Sequence, residues 1–267
     1  MTSDAQRVYR HAMSLLLLFA CAKDTEPPPR TFEELCVDLL NEFQRDDAAA
    51  EESAAELVDW LEASLDEAPD GYPMGYGTFD PDEVAHLSWE GDIDWDRVAG
   101  AIALTTVEGT VDDYLASVPE EDQSWADRTY LRWDRTILEG DADGFLDGAS
   151  LSTYNDIEKS GPLGIVIPYP MQKDYTWYAG VPVFRSVVLE EGWGEGGENG
   201  IVGGFTIELW YDRPDGGVAW VNASWTHMVT IVDDIASEAG MLQELINGTH
   251  DYFEGTEAHV NGDVTAD

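Results

Sequence analysis

From Val98 to Ile231 the chain consists mainly of short segments rich in β-branched and aromatic residues, separated by turn residues. This texture is typical of β-strands. Within it, Phe205–Tyr211 alternates apolar with more polar residues, which predicts a strand with one apolar face. Residues 233–259 then carry apolar residues at three-to-four spacing and predict a long terminal helix. The sequence therefore predicts an α+β fold in which this helix buries its apolar stripe on the sheet.

The spacing of turn and cap residues sets the bounds of these elements. The predicted strands are Val98–Val107, Tyr130–Leu138, Leu163–Tyr169, Tyr175–Tyr178, Val183–Leu189, Phe205–Tyr211 and Val218–Ile231. A short helix, Val111–Val118, is capped by Thr110 and ended by Pro119. The glycine-rich stretch Arg213–Gly217 predicts a hairpin turn between the last two strands.

Two further helices are predicted ahead of the strands. Thr31-Phe-Glu-Glu34 is a capping box that opens the first helix, and residues 48–65 form the second. A turn-rich loop, residues 66–80, follows this N-terminal helical pair. The expected domains are a helical module with its loop over residues 31–91, an α+β domain over residues 92–259 and a flexible tail over residues 260–267.

Three local likenesses connect this order of elements to a known superfamily. Val98–Val118 joins a strand to the acid-rich helix start Thr110-Val-Asp-Asp113, Gly161-Pro-Leu163 leads to Lys173–Trp177, and Ala219–Ile231 precedes the terminal helix. In these features residues 92–259 resemble the START-like, Bet v 1-like superfamily. The resemblance implies the helix-grip fold, an antiparallel curved sheet gripped by a long C-terminal helix. The N-terminal helical pair and a glycine-rich insertion at residues 190–204 depart from it.

The resemblance also implies a pocket between the sheet and the last helix, which in many members holds a lipid, sterol or polyketide. The expected function is binding of a hydrophobic small molecule or lipid in that pocket. Five tryptophans are candidates for its wall, namely Trp133, Trp177, Trp210, Trp220 and Trp225. Two alternatives stay open: a surface structural or interaction lipoprotein with a filled core, and a START enzyme of the cyclase or hydrolase kind.

Sequence motifs for catalysis are missing. The chain has no Gly-x-Ser-x-Gly elbow, no phosphate-cradling glycine motif and no dinucleotide fingerprint. Its five histidines show no His-x-x-x-His spacing, which argues against a zinc site. The sequence therefore favours a protein that is not an enzyme and needs no cofactor.

One acidic turn offers a calcium site as an open prediction. Asp141, Asp143 and Asp147 place oxygen ligands around Gly144, and this stretch resembles part of an EF-hand loop. An EF-hand loop has a bidentate glutamate at its twelfth position, and here Ser150 occupies that position. The alternative interpretation is a solvated acidic turn without an ion.

The N-terminus resembles a bacterial lipoprotein signal. Arg7 and Arg10 precede the short apolar run Met13–Ala20, a pattern typical of a cleaved export signal. Leu18-Phe-Ala-Cys21 resembles the lipobox, which implies a signal peptide over residues 1–20 and diacylation of Cys21. The proline-rich residues 21–30 are expected to form a tether. The whole arrangement resembles the uncharacterised acidic lipoproteins of myxobacteria, and the expected location is the cell envelope, with the acyl chains in a membrane.

The second cysteine leaves an alternative open. If Cys21 is acylated, Cys36 has no intramolecular partner. If the protein is secreted without a lipid, a Cys21–Cys36 disulfide becomes available.

The net charge of the chain is −42, from 55 acidic and 13 basic residues. Such a surface repels phosphate backbones, so the sequence argues against binding of nucleic acid. The charge is compatible with cationic or basic partners, and equally with adaptation to salt.

The lipoprotein interpretation predicts that Cys21→Ala releases the protein from membranes, because the acyl chains are its anchor. Mass spectrometry of the membrane-extracted wild type should find a diacylated peptide beginning at Cys21. Cys36→Ala is the control and should stay in the membrane fraction. A mature protein that retains residues 1–20 would contradict this interpretation.

Overall fold

The structure is a computed structural model, and it describes residues 29–64, 72–73, 86–87, 93–95, 98–161, 164–230 and 238–262. Contacts divide the chain into two units, residues 1–31 and residues 32–267. The predicted signal peptide, Cys21 and most of the tether lie outside the described residues. All the helices and strands named below belong to the second unit.

The described residues form nine strands in one antiparallel sheet. Their bounds are β1 Tyr72–Pro73, β2 Val98–Val107, β3 Tyr130–Glu139, β4 Leu151–Ser160, β5 Val166–Tyr178, β6 Val181–Val188, β7 Gly192–Trp193, β8 Gly200–Asp212 and β9 Val218–Val229. The strand order is β1-β2-β9-β8-β6-β5-β4-β3, and β7 pairs with β8 beside this path. The predicted turn at Arg213–Gly217 is present, since β8 and β9 pair directly on either side of it.

Five α-helices occur in the described part of the chain. Their bounds are α1 Phe32–Glu42, α2 Asp47–Ser64, α3 Val111–Ser117, α4 Ala142–Leu146 and α5 Glu238–Val260. Helix α3 opens with a capping box in which Thr110 and Asp113 accept hydrogen bonds from each other's backbone N–H. The predicted fold class is confirmed, because a curved antiparallel sheet is combined with a long C-terminal helix.

Helices α1 and α2 cover one face of the sheet, which we call the outer face. Leu39 and Leu57 from the helices form one buried cluster with Ile207, Leu209 and Val221 from β8 and β9. This outer core receives the apolar side of the alternation in Phe205–Tyr211. The expectation that the terminal helix packs on that apolar side is wrong, because the N-terminal helical pair occupies it.

The turn between α1 and α2 is anchored by polar contacts to the hairpin of β5 and β6. The Tyr178 hydroxyl donates to Asp47 Oδ1 at 2.9 Å and accepts from the backbone N–H of Gln44 at 3.0 Å. Arg185 donates to the Phe43 carbonyl at 3.1 Å and lies over the Phe43 ring. These contacts fix the helical pair to the sheet in addition to the apolar packing.

Helix α5 lies against the opposite face, which we call the inner face. Phe253 packs against Trp220 of β9 with the ring centroids 4.7 Å apart, in a cluster with Ala103 and Val107 of β2. One turn earlier the helix carries Gly248 and the buried Thr249. Because these residues are small, the middle of α5 does not fill the space above the sheet.

Four strands differ from the sequence prediction. The two-residue strands β1 and β7 lie in segments predicted as a turn-rich loop, residues 66–80, and as a glycine-rich insertion, residues 190–204. The strand β4 has no counterpart among the predicted strands, because its buried positions include the polar Thr153 and Asn155. The two segments predicted as Leu163–Tyr169 and Tyr175–Tyr178 form one strand, β5. Pro168 and Pro170 are tolerated there because this half of β5 pairs with β4 alone.

No helix in the described part of the chain has both the length and the apolar character needed to cross a membrane. Cys36 is buried in α1 with a free thiol, and burial raises its pKa, so the thiol is protonated and inert at neutral pH. The domain boundaries given above stay predictions.

The shared outer core predicts the response to a cavity in α2. Leu57→Ala should lower the free energy of unfolding by about 2–5 kcal/mol, because Leu57 is buried between the helical pair and the sheet. The control Leu131→Ala, at a side chain that is 56% exposed, should cost less than about 0.5 kcal/mol. Urea unfolding followed by circular dichroism and by tryptophan fluorescence should give one coincident transition. A helical transition separate from that of the sheet would contradict the shared core.

Candidate functional site

A cavity of about 420 Å³ lies between the inner face of the sheet and the middle of α5. This volume is within the usual range for small-molecule sites. Residues from β3, β4, β5, β6, β8 and β9 line it on the sheet side. On the other side it is lined by α5, through residues 244, 245, 247–249, 251 and 252. Gly248 contributes to the opening, because a Cβ at this position would meet only Lys159 Nζ, at 3.7 Å.

A polar row crosses the floor of the cavity. Lys173 of β5 pairs in register with Ser186 of β6, Ser186 with Thr206 of β8, and Thr206 with Ser224 of β9. All four side chains point to the inner face and line the cavity. The hydroxyls of Thr206 and Ser224 are 3.1 Å apart, and Ser224 donates to Asn222 Oδ1 at 2.7 Å. The alternation of the strands therefore places a polar row where a lipid-binding cavity would have an apolar floor.

One end of this row is a buried ion pair. Lys173 Nζ lies 2.6 Å from Glu208 Oε1, and both side chains are less than 5% exposed. Trp220 Nε1 donates to Glu208 Oε2 at 3.0 Å, and Lys173 is 3.3 Å from the Tyr252 hydroxyl. Burial has the largest single effect and lowers the pKa of Lys173. The attraction of Glu208, Tyr252 and Tyr175 together outweighs it and raises the pKa, so the amine stays charged.

An aromatic wall faces the polar row. It consists of Tyr130 and Trp133 on β3, Tyr169 on β5 and Tyr252 on α5. The ring centroids of Tyr130 and Trp133 are 4.6 Å apart, and the Tyr169 hydroxyl lies close to that of Tyr130. Burial raises the pKa of Tyr130 and Tyr169, so both stay neutral hydroxyls. The wall thus offers ring faces to an apolar body and no charge.

A second ion pair lies at the other end of the cavity. Lys159 Nζ is 3.5 Å from Asp127 Oδ2 and lies over the Tyr130 ring. Asp127 is 1% exposed, and Thr129 donates to it from the backbone N–H at 2.8 Å and from the hydroxyl at 2.7 Å. Both lysines that line the cavity are therefore already paired with buried carboxylates.

Of the five predicted tryptophans, only Trp133 is among the described residues that line the cavity. Trp210 and Trp220 lie in the inner core beside it, and Trp177 packs against that core. Trp225 lies on the outer face, under the helical pair. Trp133 and Trp220 both lie against Tyr252 of α5, and Trp210 packs on Trp220, but the five tryptophans do not form one wall. A binding role for any of them stays a prediction.

The acidic turn between β3 and β4 forms helix α4. Asp141 Oδ1 accepts from the Gly144 backbone N–H at 2.8 Å and caps this helix. Asp143 and Asp147 are exposed. The described residues contain no group of three or more histidine, cysteine, aspartate or glutamate side chains placed to hold a metal ion. Calcium binding at this turn stays a prediction.

Sequence reasoning misses most of the cavity, including Lys173, Glu208 and the polar row. One signal is available in the sequence: the chain has only three lysines, Lys23, Lys159 and Lys173. Two of them line the cavity. In so acidic a chain, lysines within the region rich in strand-forming residues indicate specific carboxylate partners.

Comparison with known proteins finds fold relatives only. No protein-family model and no curated protein matches this chain. The solved structure of Ara h 8.0201 is similar, with 14% identity and a TM-score of 0.42 over 62% of this chain and 99% of that one. A protein of Thermus thermophilus is similar as well, with 12% identity and a TM-score of 0.43 over 62% of this chain and 99% of that one.

The Zhui aromatase/cyclase of Streptomyces is also similar, with 12% identity and a TM-score of 0.39 over 63% of this chain and 97% of that one. The likeness concerns the fold alone. The function therefore has to be derived from the residues of the cavity itself.

The buried ion pair predicts a double-mutant cycle. Glu208→Gln and Lys173→Met should each cost about 3–5 kcal/mol, because each leaves one buried charge without its partner. The double variant should cost much less than the sum of the two. Asp215→Asn, at the exposed 2.8 Å pair Arg213–Asp215, is the control and should cost at most about 1 kcal/mol. Urea unfolding gives the free energy of unfolding of the two single variants, the double variant and the control. Single variants that lose no more stability than the control would contradict the role of the pair.

Proposed function

We propose that the protein binds a small amphipathic molecule in the cavity between the inner face and α5, and that it is not an enzyme. The observation that carries this proposal is the division of the cavity into two sides. The hydroxyl groups of the polar row, from Ser186, Thr206 and Ser224, form one side, and the rings of the aromatic wall form the other. A ligand with an apolar body and hydroxyl or carbonyl groups along one edge satisfies both sides.

The volume of the cavity supports binding over a filled core. Native interiors are packed with few voids larger than a water molecule, whereas about 420 Å³ is open here. Two small residues in the lining leave room for more atoms: a Cβ on Gly248 would meet Lys159 Nζ at 3.7 Å, and a Cβ on Gly204 would meet its neighbours at 3.4 Å. The open space is therefore a result of residue choice and not of steric necessity.

The protonation states in the cavity support binding over chemistry. A lysine acts as a nucleophile or base only when it is neutral, and Lys173 is held charged by Glu208. Burial raises the pKa of Tyr252 to about 12, and of Tyr130 and Tyr169 as well. These groups donate hydrogen bonds to a ligand without exchanging a proton with it near neutral pH.

We further propose that this binding domain is held at a membrane of the cell envelope by acyl chains on Cys21. The lipobox-like Leu18-Phe-Ala-Cys21 and the preceding apolar run support this part. A tethered binding domain samples molecules close to the membrane surface, where amphipathic compounds concentrate.

The test fills the cavity from the helix side. Gly248→Leu should weaken binding of the probe naphthalen-2-ylmethanol by about tenfold or more, because the new side chain occupies the ligand volume. It should not destabilise the protein, since Leu is a better helix former than Gly by about 1 kcal/mol. Gln243→Leu, at an exposed position of α5 outside the cavity, is the matched control and should bind like the wild type. Isothermal titration calorimetry gives the affinities and thermal unfolding the stability.

Two outcomes would count against the proposal. Undiminished binding in Gly248→Leu would place the probe elsewhere. A wild type that neither binds the probe nor retains a small molecule in native mass spectrometry would remove the ligand-binding function itself.

A further inference from the structure

We infer that the cavity discriminates by charge, accepting neutral and cationic ligands and rejecting anionic ones such as fatty acids and other carboxylates. This inference rests on the proposed function and narrows its ligand class. It follows from the state of the two lysines in the cavity and from the carboxylates at its mouth.

Neither lysine is available to an anionic ligand without a loss elsewhere. Capturing Lys173 would separate it from Glu208, which is 3% exposed and has Trp220 as its other donor. Capturing Lys159 would separate it from Asp127, which is 1% exposed. In each case a buried carboxylate loses its counter-charge, and that cost offsets the new contact.

The mouth of the cavity carries more negative than positive charge. Glu244 is exposed on α5 and Asp251 is partly exposed further along the same helix, and both line the cavity. Arg128 is 3.9 Å from Asp251, but its side chain is 86% exposed and solvent screens the pair. His250 lies between them on the helix and is outside the cavity lining. Among the described residues, the lining thus holds four carboxylates against two ammonium groups, in a chain of net charge −42.

This arrangement repels an anion on approach and again inside the cavity. A ligand carboxylate is repelled by the negative charges of Glu244 and Asp251 before it reaches the polar row. Inside, both described lysines are already paired with carboxylates, and the remaining polar groups beside the row are neutral hydroxyls and amides. A ligand ammonium group is attracted at the same mouth and can lie over the ring faces of the aromatic wall. A neutral hydroxyl group is neither repelled nor attracted by these charges.

The experiment uses three probes that share one apolar body: naphthalen-2-ylmethanol, naphthalen-2-ylmethylamine and 2-naphthoate. Affinities of the full chain are measured by isothermal titration calorimetry at neutral pH and low ionic strength. We expect the carboxylate to bind about tenfold or more weakly than the alcohol, and the amine at least as tightly as the alcohol. The difference should shrink at about 1 M salt, where the Debye length is roughly 3 Å.

Matched charge variants on α5 locate the effect. Glu244→Gln should improve carboxylate binding by about threefold relative to the alcohol, because it removes one repulsive charge at the mouth. Glu254→Gln removes an equal charge from an exposed position of the same helix that does not line the cavity. We expect it to leave the ratio of carboxylate to alcohol affinity unchanged.

The outcomes separate the two proposals. Equal affinities for all three probes, or a preference for the carboxylate, would overturn charge discrimination and leave the ligand-binding function standing. Equal effects of Glu244→Gln and Glu254→Gln would also overturn it, since discrimination would then come from net charge and not from the cavity mouth. Failure of every probe to bind would overturn the binding function, and the charge inference with it.

Discussion

The strict alternation of side chains along β8 and β9 determines how the molecule is layered. On both strands one set of residues faces outward to α1 and α2, and the other faces inward to α5. The outward set is almost wholly apolar. Its burial makes the largest favourable contribution to the free energy of folding, at about 25 cal/mol per Å² of apolar surface. Because the outer layer bears so much of the apolar burial, the inner face is free to carry polar residues and an open cavity.

That division explains why a buried lysine and glutamate are tolerated beside the cavity. Desolvation of two charges is costly, and the partners here are satisfied by each other, by Trp220 Nε1 and by the Tyr252 hydroxyl. The pair connects β5 to β8 across β6, and Tyr252 belongs to α5, so the same contacts hold the helix over the sheet. The attachment of α5 therefore depends on the same residues that line one end of the cavity floor.

The sequence predicts this fold wherever one physical signal dominates. Val98–Val107 is found as predicted, because its β-branched and apolar residues have no helical spacing. The strand β4 is missed because Thr153 and Asn155 are buried through hydrogen bonds and not through apolarity: Asn155 accepts from Trp133 and Arg135 on the neighbouring strand. Burial of this kind depends on the partner strand, which local composition does not reveal.

The site was less predictable than the fold for the same reason. The aromatic content suggests a wall of tryptophans. However, side chains alternate between the two faces along a strand, so Trp220 and Trp225, five residues apart on β9, lie on opposite faces. The polar row exists only through the register of four strands. A shift of one residue in any of them would send its member to the opposite face.

The placement of β9 between β2 and β8 has a consequence for how the chain reaches this structure. Val98 at the start of β2 pairs with His227 near the end of β9, so β2 waits for its principal partner until β3 to β9 have all been made. At about 5–20 residues per second, synthesis of the intervening stretch takes on the order of ten seconds. During that time most of the apolar β2 has no partner, because β1 pairs with only two of its residues, and such exposed strand edges are prone to aggregate. High contact order of this kind makes folding slow and increases the need for chaperones while the strand is exposed.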